Sequence, residues 1–87
     1  MKRSLDIARI LNHYGRDNQV QKTCEELAEL QVAITHDTPK EQIKSEIADV
    51  LIMCEQIKLM HGINETELAA EIDFKVDRQL ERIADET

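Results

Sequence analysis

Apolar side chains recur along this chain at the three- and four-residue spacing of α-helices, and no segment shows the alternation expected of β-strands. Two glycines and a single proline divide the pattern into four segments. The first segment begins at Ser4, a capping residue, and ends at Gly15, while the second runs from Asp17 or Asn18 to about Thr35. The first half of the sequence therefore predicts two helices joined by a short link.

Capping signals place the other two helices. Residues 38–41, Thr-Pro-Lys-Glu, combine an N-cap, a proline at the first helical position and a capping-box glutamate. This third helix extends to about His61 and is closed by Gly62. Residues 64–67, Asn-Glu-Thr-Glu, repeat the capping-box pattern and begin a fourth helix that reaches the mid-80s. The prediction is a single all-α domain over residues 1–87.

Helix positions lie about 100° apart, which divides the second and third predicted helices into stripes. In the second helix the mainly apolar stripe contains Val20, Cys24, Leu27, Gln31 and Ile34. The mainly polar stripe opposite contains Gln19, Lys22, Glu26, Glu29 and Ala33. In the third helix an apolar seam contains Ile43, Ile47, Val50, Cys54 and Ile57. A chain of 87 residues buries only a modest core, so we expect a homodimer or homotetramer with both helices at the interface.

Composition and charge narrow the classes of partner. The net charge of −7 disfavours binding to nucleic-acid polymers and to anionic membranes. No apolar run approaches the roughly 18 residues needed to cross a bilayer. The two cysteines, Cys24 and Cys54, form no CxxC motif and lie on apolar helix faces, and the N-terminus has no signal-peptide pattern. These features predict a cytoplasmic protein.

Two carboxylate pairs carry the candidate chemistry. Glu26 and Glu29 on the second helix, and Glu46 and Asp49 on the third, are each three residues apart and therefore share a helix face. Exposure to solvent is the simpler expectation for the first pair, whereas the second pair adjoins the apolar seam. Burying like charges costs several kcal/mol per ion unless a counter-charge is supplied. Four converging carboxylates suit Mg²⁺, which takes oxygen ligands. They predict a metal-dependent enzyme that acts on phosphates.

The motif Glu25-Glu26-x-x-Glu29, followed by Glu46-x-x-Asp49, resembles the EExxE…ExxD signature of the MazG-like all-α nucleoside triphosphate pyrophosphohydrolases. The resemblance extends over roughly residues 10–83. It implies a four-helix module that hydrolyses a (deoxy)nucleoside triphosphate to the monophosphate and pyrophosphate with Mg²⁺ or Mn²⁺. It also implies that Glu26, Glu29, Glu46 and Asp49 bind the metal and serve catalysis.

Cationic side chains are expected to contact the phosphates. In the family, basic or amide residues of the last helix do so, which by resemblance points to Lys75 and Arg78. Lys22 stands one turn before Glu26 and either joins them or forms only a helical ion pair. Gln19 and Glu25 are candidates for supporting the metal ligands without binding the metal directly, and Glu25 either holds an outer-shell water or is solvated.

Several members of the family stack an aromatic side chain on the base, and this chain has no Trp for that role. The candidates to replace it are His13, Tyr14, His36 and Met53.

Three alternative functions stay open or are set aside. A phosphoribosyl-ATP pyrophosphatase-like enzyme ranks second, because residues 49–53 lack the histidine associated with that family. A non-catalytic helical oligomer or regulatory partner would keep the apolar seams without converging carboxylates. A di-iron bundle is disfavoured, because neither motif supplies Glu-x-x-His.

Overall fold

The computed structural model describes residues 2–86 and confirms an all-α chain. Its helices are α1 (Ser4–Tyr14), α2 (Arg16–Thr35), α3 (Lys40–His61) and α4 (Glu65–Glu86). None of these helices is both long enough and apolar enough to span a membrane. The predicted assembly into a dimer or tetramer remains a prediction.

Three of the predicted helix boundaries are confirmed by backbone geometry. Gly15 is the only residue between α1 and α2 and has φ 87°, a value that residues with a Cβ rarely adopt. Gly62 ends α3 in the left-handed conformation, with φ 64°. At the start of α4, the Asn64 backbone N–H donates to Glu67 Oε1 at 2.7 Å, and the Glu67 N–H donates to Asn64 Oδ1 at 2.8 Å. This reciprocal pair is the predicted capping box.

The capping prediction for α3 is wrong. The helix begins at Lys40 with Pro39 in the cap position, and no side chain caps it. The Thr38 hydroxyl instead donates to the Ala33 carbonyl oxygen at 3.0 Å. The last carbonyls of a helix lack intrahelical partners, so the end of α2 competes for this hydroxyl with the start of α3.

The first two helix starts also differ from prediction by a residue or two. Ser4 is the first residue of α1, and the cap position is occupied by Arg3. The second helix begins at Arg16, directly after Gly15, because a single residue is enough to turn the chain. Asn18 lies inside α2, where its side-chain amide donates to the Tyr14 carbonyl oxygen at 2.8 Å.

Helix packing is uneven. The helices α2 and α3 form an antiparallel pair joined by residues 36–39, and α1 packs against both. No Cα atom of α4 lies within 8 Å of a Cα atom in α1, α2 or α3. Among residues 2–86 the buried apolar side chains are Ile7, Ala33 and Met53. The buried polar side chains are Gln19, Thr23, Glu26 and Gln56.

The stripes of α2 face the opposite way from a conventional amphipathic helix. Its mainly apolar stripe is exposed, with Val20 at 42%, Leu27 at 48% and Ile34 at 58%. Its mainly polar stripe turns inward and supplies Gln19 and Glu26 to the interface with α3. We call the residues Gln19, Thr23, Glu26 and Ala33 the inner face of α2.

The apolar seam of α3 is likewise only partly covered. Ile43, Val50 and Ile57 are half-buried, whereas Ile47 and Cys54 are exposed. The residues of α3 that face α2 most closely are Met53 and Gln56, beside the seam rather than on it. The alternative that the first carboxylate pair is exposed to solvent therefore does not hold for Glu26, because the inner face of α2 is directed at α3.

Candidate metal centre

Three of the four predicted ligands converge. Glu26 of α2 and Glu46 and Asp49 of α3 each place a carboxylate oxygen so that the three atoms lie within 4.8 Å of one another. We call these residues the acidic cluster. Each residue lies on a helix face for which the sequence predicted a carboxylate pair. The antiparallel pairing of α2 and α3 brings these two faces together.

Burial makes the acidic cluster unusual for a group of carboxylates. Glu26 is only 6% exposed, and Glu46 and Asp49 are half-buried. Glu26 Oε2 and Glu46 Oε2 are both buried without a hydrogen-bond partner. A buried charged oxygen that lacks a partner costs several kcal/mol, and a cation would remove that cost. The donor set therefore fits a hard divalent ion such as Mg²⁺, which takes carboxylate oxygens.

Lys22 supplies only part of the missing positive charge. Its Nζ lies 3.1 Å from Glu26 Oε1 and 4.0 Å from the nearer Glu25 oxygen. The hydrogen bond to Glu26 raises the pKa of Lys22 above its usual value, so this side chain stays protonated. One oxygen of Glu26 is thus paired with Lys22, while the other has no partner.

Glu29, the fourth predicted ligand, lies at the edge of the acidic cluster and is exposed. Repulsion from Glu26 is the largest cause that raises the pKa of Glu29 above its usual value, followed by desolvation and by repulsion from Glu46. Glu29 and Glu46 also line one shallow groove between α2 and α3. Its carboxylate therefore responds to the charge of the cluster without being one of its three converging members.

The pairs across the α2–α3 interface follow a common register. Gln19 Nε2 donates to Gln56 Oε1 at 2.8 Å, and we call these two residues the amide pair. Seven residues further along α2 is Glu26, and seven residues back along α3 is Asp49. Three residues further along α2 is Glu29, and three residues further back along α3 is Glu46, and these two residues line the same groove. The amide pair and the acidic cluster are therefore neighbouring levels of one interface, about two helical turns apart.

The structure does not bring the predicted phosphate ligands of α4 to the acidic cluster. Lys75 Nζ lies 3.9 Å from Glu71, one turn earlier on the same helix. The guanidinium of Arg78 lies over the Phe74 ring, 5.6 Å from its centroid. Both contacts are made within α4, which packs against none of the other helices.

The remaining predicted residues are the two expected to support the metal ligands and the candidates for contact with a base. Glu25 is half exposed and interacts weakly with Lys22, which fits the solvated alternative. Gln19, predicted to support the metal ligands, is buried and hydrogen-bonds Gln56 in the amide pair. Of the aromatic candidates, His36 Nδ1 lies 2.9 Å from the Val32 carbonyl oxygen at the end of α2. The rings of His13 and Tyr14 meet edge to face with their centroids 4.7 Å apart.

Gln56 is a site residue that the sequence interpretation missed. It is fully buried, and its Nε2 lies 3.6 Å from Met53 Sδ. The available signal was its spacing, since Gln56 continues the line of Asp49 and Met53 along one face of α3.

Comparisons with known proteins gave no match to a family model, to a curated protein or to a solved structure. The MazG-like resemblance therefore stays a prediction based on residues 25–29 and 46–49. Independently of any family, the geometry offers three converging carboxylates between two helices, and two of their buried oxygens have no hydrogen-bond partner.

Proposed function

We propose that this protein is a MazG-like enzyme that hydrolyses a (deoxy)nucleoside triphosphate to the monophosphate and pyrophosphate with bound Mg²⁺, in the cytoplasm. The observation that carries the proposal is the acidic cluster, in which three carboxylates converge and two buried oxygens have no partner. Carboxylates with no function would be expected to face solvent, because burial of a carboxylate without a counter-charge destabilises the fold.

Each residue of the site has a role in this proposal. Glu26, Glu46 and Asp49 would hold the metal, and Glu29 would take part from the edge. A bound divalent ion neutralises phosphate charge and lowers the pKa of a coordinated water. A carboxylate of the cluster orients the attacking water and accepts its proton. Lys22, held protonated beside Glu26, faces the negative charge of the triphosphate.

Assembly into a homodimer or homotetramer completes the proposal. Lys75 and Arg78 lie on a helix that stands away from the acidic cluster of its own chain, so a second copy would supply them. The exposed apolar residues of α2 and α3, including Leu27, Ile34 and Ile47, support such an assembly. The pairing of a Glu46→Gln chain with a Lys75→Ala chain tests this point. Two inactive variants should regain activity when refolded together, and no recovery would contradict supply by a second copy.

Pyrophosphate release from a panel of ribo- and deoxynucleoside triphosphates, with and without Mg²⁺, tests the activity itself. Asp49→Asn keeps the shape of the side chain and removes a ligand charge. It should lower kcat/KM by more than a hundredfold, since changes behind a metal ligand alone cost about 10–100-fold. Glu41→Gln on the same helix is the matched control, because Glu41 is exposed and pairs with Lys44, one turn along the same helix. If Asp49→Asn cleaves triphosphates as fast as the parent, the catalytic proposal is wrong.

A non-catalytic helical partner protein is the second candidate, and one observation favours it. The apolar stripe of α2 and the apolar residues of α4 are exposed together, which is typical of helices that bind other helices. In that case the protein would assemble normally but release no pyrophosphate from any triphosphate, with or without Mg²⁺.

A further inference from the structure

The amide pair places two polar side chains in the buried part of the interface between α2 and α3. Gln56 is 0% exposed and Gln19 is 6% exposed. Gln19 Nε2 donates to Gln56 Oε1 at 2.8 Å, and Gln56 Nε2 lies 3.6 Å from Met53 Sδ. Glutamines are mostly exposed in proteins, and apolar residues fill most buried positions. These two positions therefore hold a polar contact where an apolar one is the usual choice.

The stability of the fold does not explain this choice. When both partners of a buried hydrogen bond are replaced by apolar groups of the same shape, the effect on stability can be nearly neutral or favourable. Burying a glutamine also costs rotamer freedom. What a buried polar residue between paired helices does provide is specificity, because it defines one arrangement of the helices at a cost in stability. The amide pair therefore points to a requirement for one defined arrangement of α2 and α3.

The acidic cluster creates that requirement. One carboxylate oxygen from each of its three residues lies within 4.8 Å of the other two. Like charges at this distance repel, so in the absence of a cation the electrostatic energy favours arrangements of α2 and α3 that separate the carboxylates. Mg²⁺, in contrast, needs its oxygen ligands at about 2.0–2.1 Å at the same time. A site that is ready for the ion therefore needs contacts outside the cluster to hold the carboxylates together.

Other contacts between α2 and α3 constrain their arrangement less. Among the residues that the structure describes, the buried apolar side chains of this helix pair are Ala33 and Met53, and hydrophobic contacts have no preferred direction. Arg16 Nη1 donates to the Met60 carbonyl oxygen at 3.3 Å, at an exposed position and beyond the usual range of about 2.7–3.2 Å for such bonds. The amide pair is buried and directional, and it lies seven residues from the acidic cluster on each helix.

We infer that the two residues of the amide pair are positioning residues: their hydrogen bond holds Glu26 opposite Asp49, so that the metal ligands are in place before the ion binds. The inference rests on the proposed function for the identity of the ion. Neither glutamine touches the ion or the substrate in this role. A preformed site binds its ligand more tightly than a site that must first be ordered, because the ordering cost has already been met. The hydrogen bond therefore raises metal affinity at the expense of stability.

The double variant Gln19→Met with Gln56→Met tests the inference, because methionine resembles glutamine in length and carries no amide. The melting temperature of the full-length double variant, measured by calorimetry, should equal or exceed that of the parent. Its Kd for Mg²⁺, measured by titration calorimetry, should be at least about 10-fold higher, the lower end of the range for changes behind a metal ligand. A purely structural role predicts instead a lower melting temperature and an unchanged Kd. Equal Kd values in the parent and the double variant overturn the inference, and so does a double variant that fails to fold.

Two further variants separate metal affinity from stability. Ile7→Val shortens a buried side chain of α1, so it should lower the melting temperature and leave the Kd for Mg²⁺ unchanged. Gln19→Met alone removes the donor that Gln56 Oε1 has in the parent, so it should lower the melting temperature and raise the Kd. A Kd raised equally by Ile7→Val and by Gln19→Met would show that metal affinity follows stability, which contradicts a positioning role.

Protein NMR spectra recorded without metal separate this inference from the proposed function. With EDTA present, the parent should give one sharp backbone amide signal per residue over 19–33 and 46–56. The double variant should give doubled or broadened signals there, because without the hydrogen bond several arrangements of α2 and α3 are similar in energy. If the parent binds no Mg²⁺, the proposed function is overturned and the spectra alone decide: a single set of sharp signals in the double variant then overturns the inference.

Discussion

The α2–α3 pair and α4 use the same kind of helix in opposite ways. In the pair, polar and charged residues such as Gln19, Glu26 and Gln56 are buried between the helices, and apolar residues such as Leu27 face outward. In α4 no residue is buried, although apolar side chains recur along one face and Ile72 and Ile83 are more than half exposed. The pair therefore buries polar groups and leaves apolar surface outside, whereas α4 leaves both its polar and its apolar side chains outside.

The difference between the two regions lies in what each can do alone. The α2–α3 pair holds its carboxylates together through contacts made within one chain. The fourth helix follows the link at Gly62, and an ion pair between Lys58 and Glu65 joins its first residue to α3. An amphipathic helix gains most of its stability from packing its apolar face. The comparison indicates that the acidic cluster belongs to the pair, whereas the apolar face of α4 has no packing partner within the described part of the chain.

The largest expected effect comes from a charge placed on the outer stripe of α2. Leu27→Glu puts a carboxylate at the centre of the predicted interface, where burial of an unpaired charge is costly. Light scattering at micromolar concentration should show the parent as a dimer or tetramer and the variant near the 10.0 kDa of a monomer. Asn12→Asp on the exposed side of α1 adds the same charge and should leave the mass unchanged. A monomeric parent would contradict the predicted assembly.

Next in size is the response of the α2–α3 pair to a divalent ion. Mg²⁺ at 100 times its Kd should stabilise the parent by about 2.7 kcal/mol, because it binds only the folded acidic cluster. Glu46→Gln should lose most of this increase in melting temperature and, without metal, should be at least as stable as the parent, because it relieves repulsion. Calorimetry with and without Mg²⁺ measures both changes. An equal increase in the parent and the variant would mean that the ion binds elsewhere.

A matched pair of glycine substitutions probes how far α4 depends on the other helices. Alanine to glycine in an exposed helix interior costs about 1 kcal/mol. Ala48→Gly in α3 should lower the global free energy of unfolding by about that amount, since α3 packs against α1 and α2. At concentrations that keep the chain monomeric, Ala69→Gly in α4 should instead speed amide exchange within α4 and leave global unfolding unchanged. Equal global losses for the two variants would show that α4 folds cooperatively with the pair.

The smallest expected effect concerns the connection between α3 and α4. Lys58 pairs with Glu55 and Glu65, and its hydrogen bond lowers the pKa of Glu65 below the usual value. The stabilisation is therefore present above the unfolded pKa of about 4.5 and is lost as the pH falls through the lower folded pKa. Amide exchange at residues 65–68 should speed up in that acidic window in the parent. In Glu65→Gln the exchange should already be fast at neutral pH, and a parent without this pH dependence would contradict the role of the pair.

Helix existence and most helix ends could be predicted because local chemistry decides them. Gly15 and Gly62 supply backbone conformations that other residues resist, and Asn64 and Glu67 hydrogen-bond each other's backbone N–H groups. The cap at Thr38 was wrong, because the Thr38 hydroxyl donates to the Ala33 carbonyl oxygen at the end of α2, five residues earlier. A capping pattern describes the start of one helix and leaves out the end of the helix before it.

The face that each helix turns inward could not be predicted from hydrophobicity alone. The apolar stripe of α2 is the obvious candidate for the core, yet Glu26 and Gln19 of the opposite stripe are the buried residues. A helix that serves both a polar site and a second binding surface needs two functional faces, and sequence periodicity does not say which face meets which neighbour. Spacing did predict that Glu46 and Asp49 share a face, but it did not predict that Glu26 meets them while Glu29 stays at the edge.

The amide pair also determines how far α2 is displaced along α3. Apolar side chains tolerate sliding, since one methyl contact replaces another, whereas the hydrogen bond from Gln19 to Gln56 joins two defined atoms. A slip of one turn, about 5.4 Å, would break that bond and at the same moment separate Glu26 from Asp49. The amide pair therefore fixes the register of α2 against α3, and this register is the one that brings Glu26 and Asp49 together.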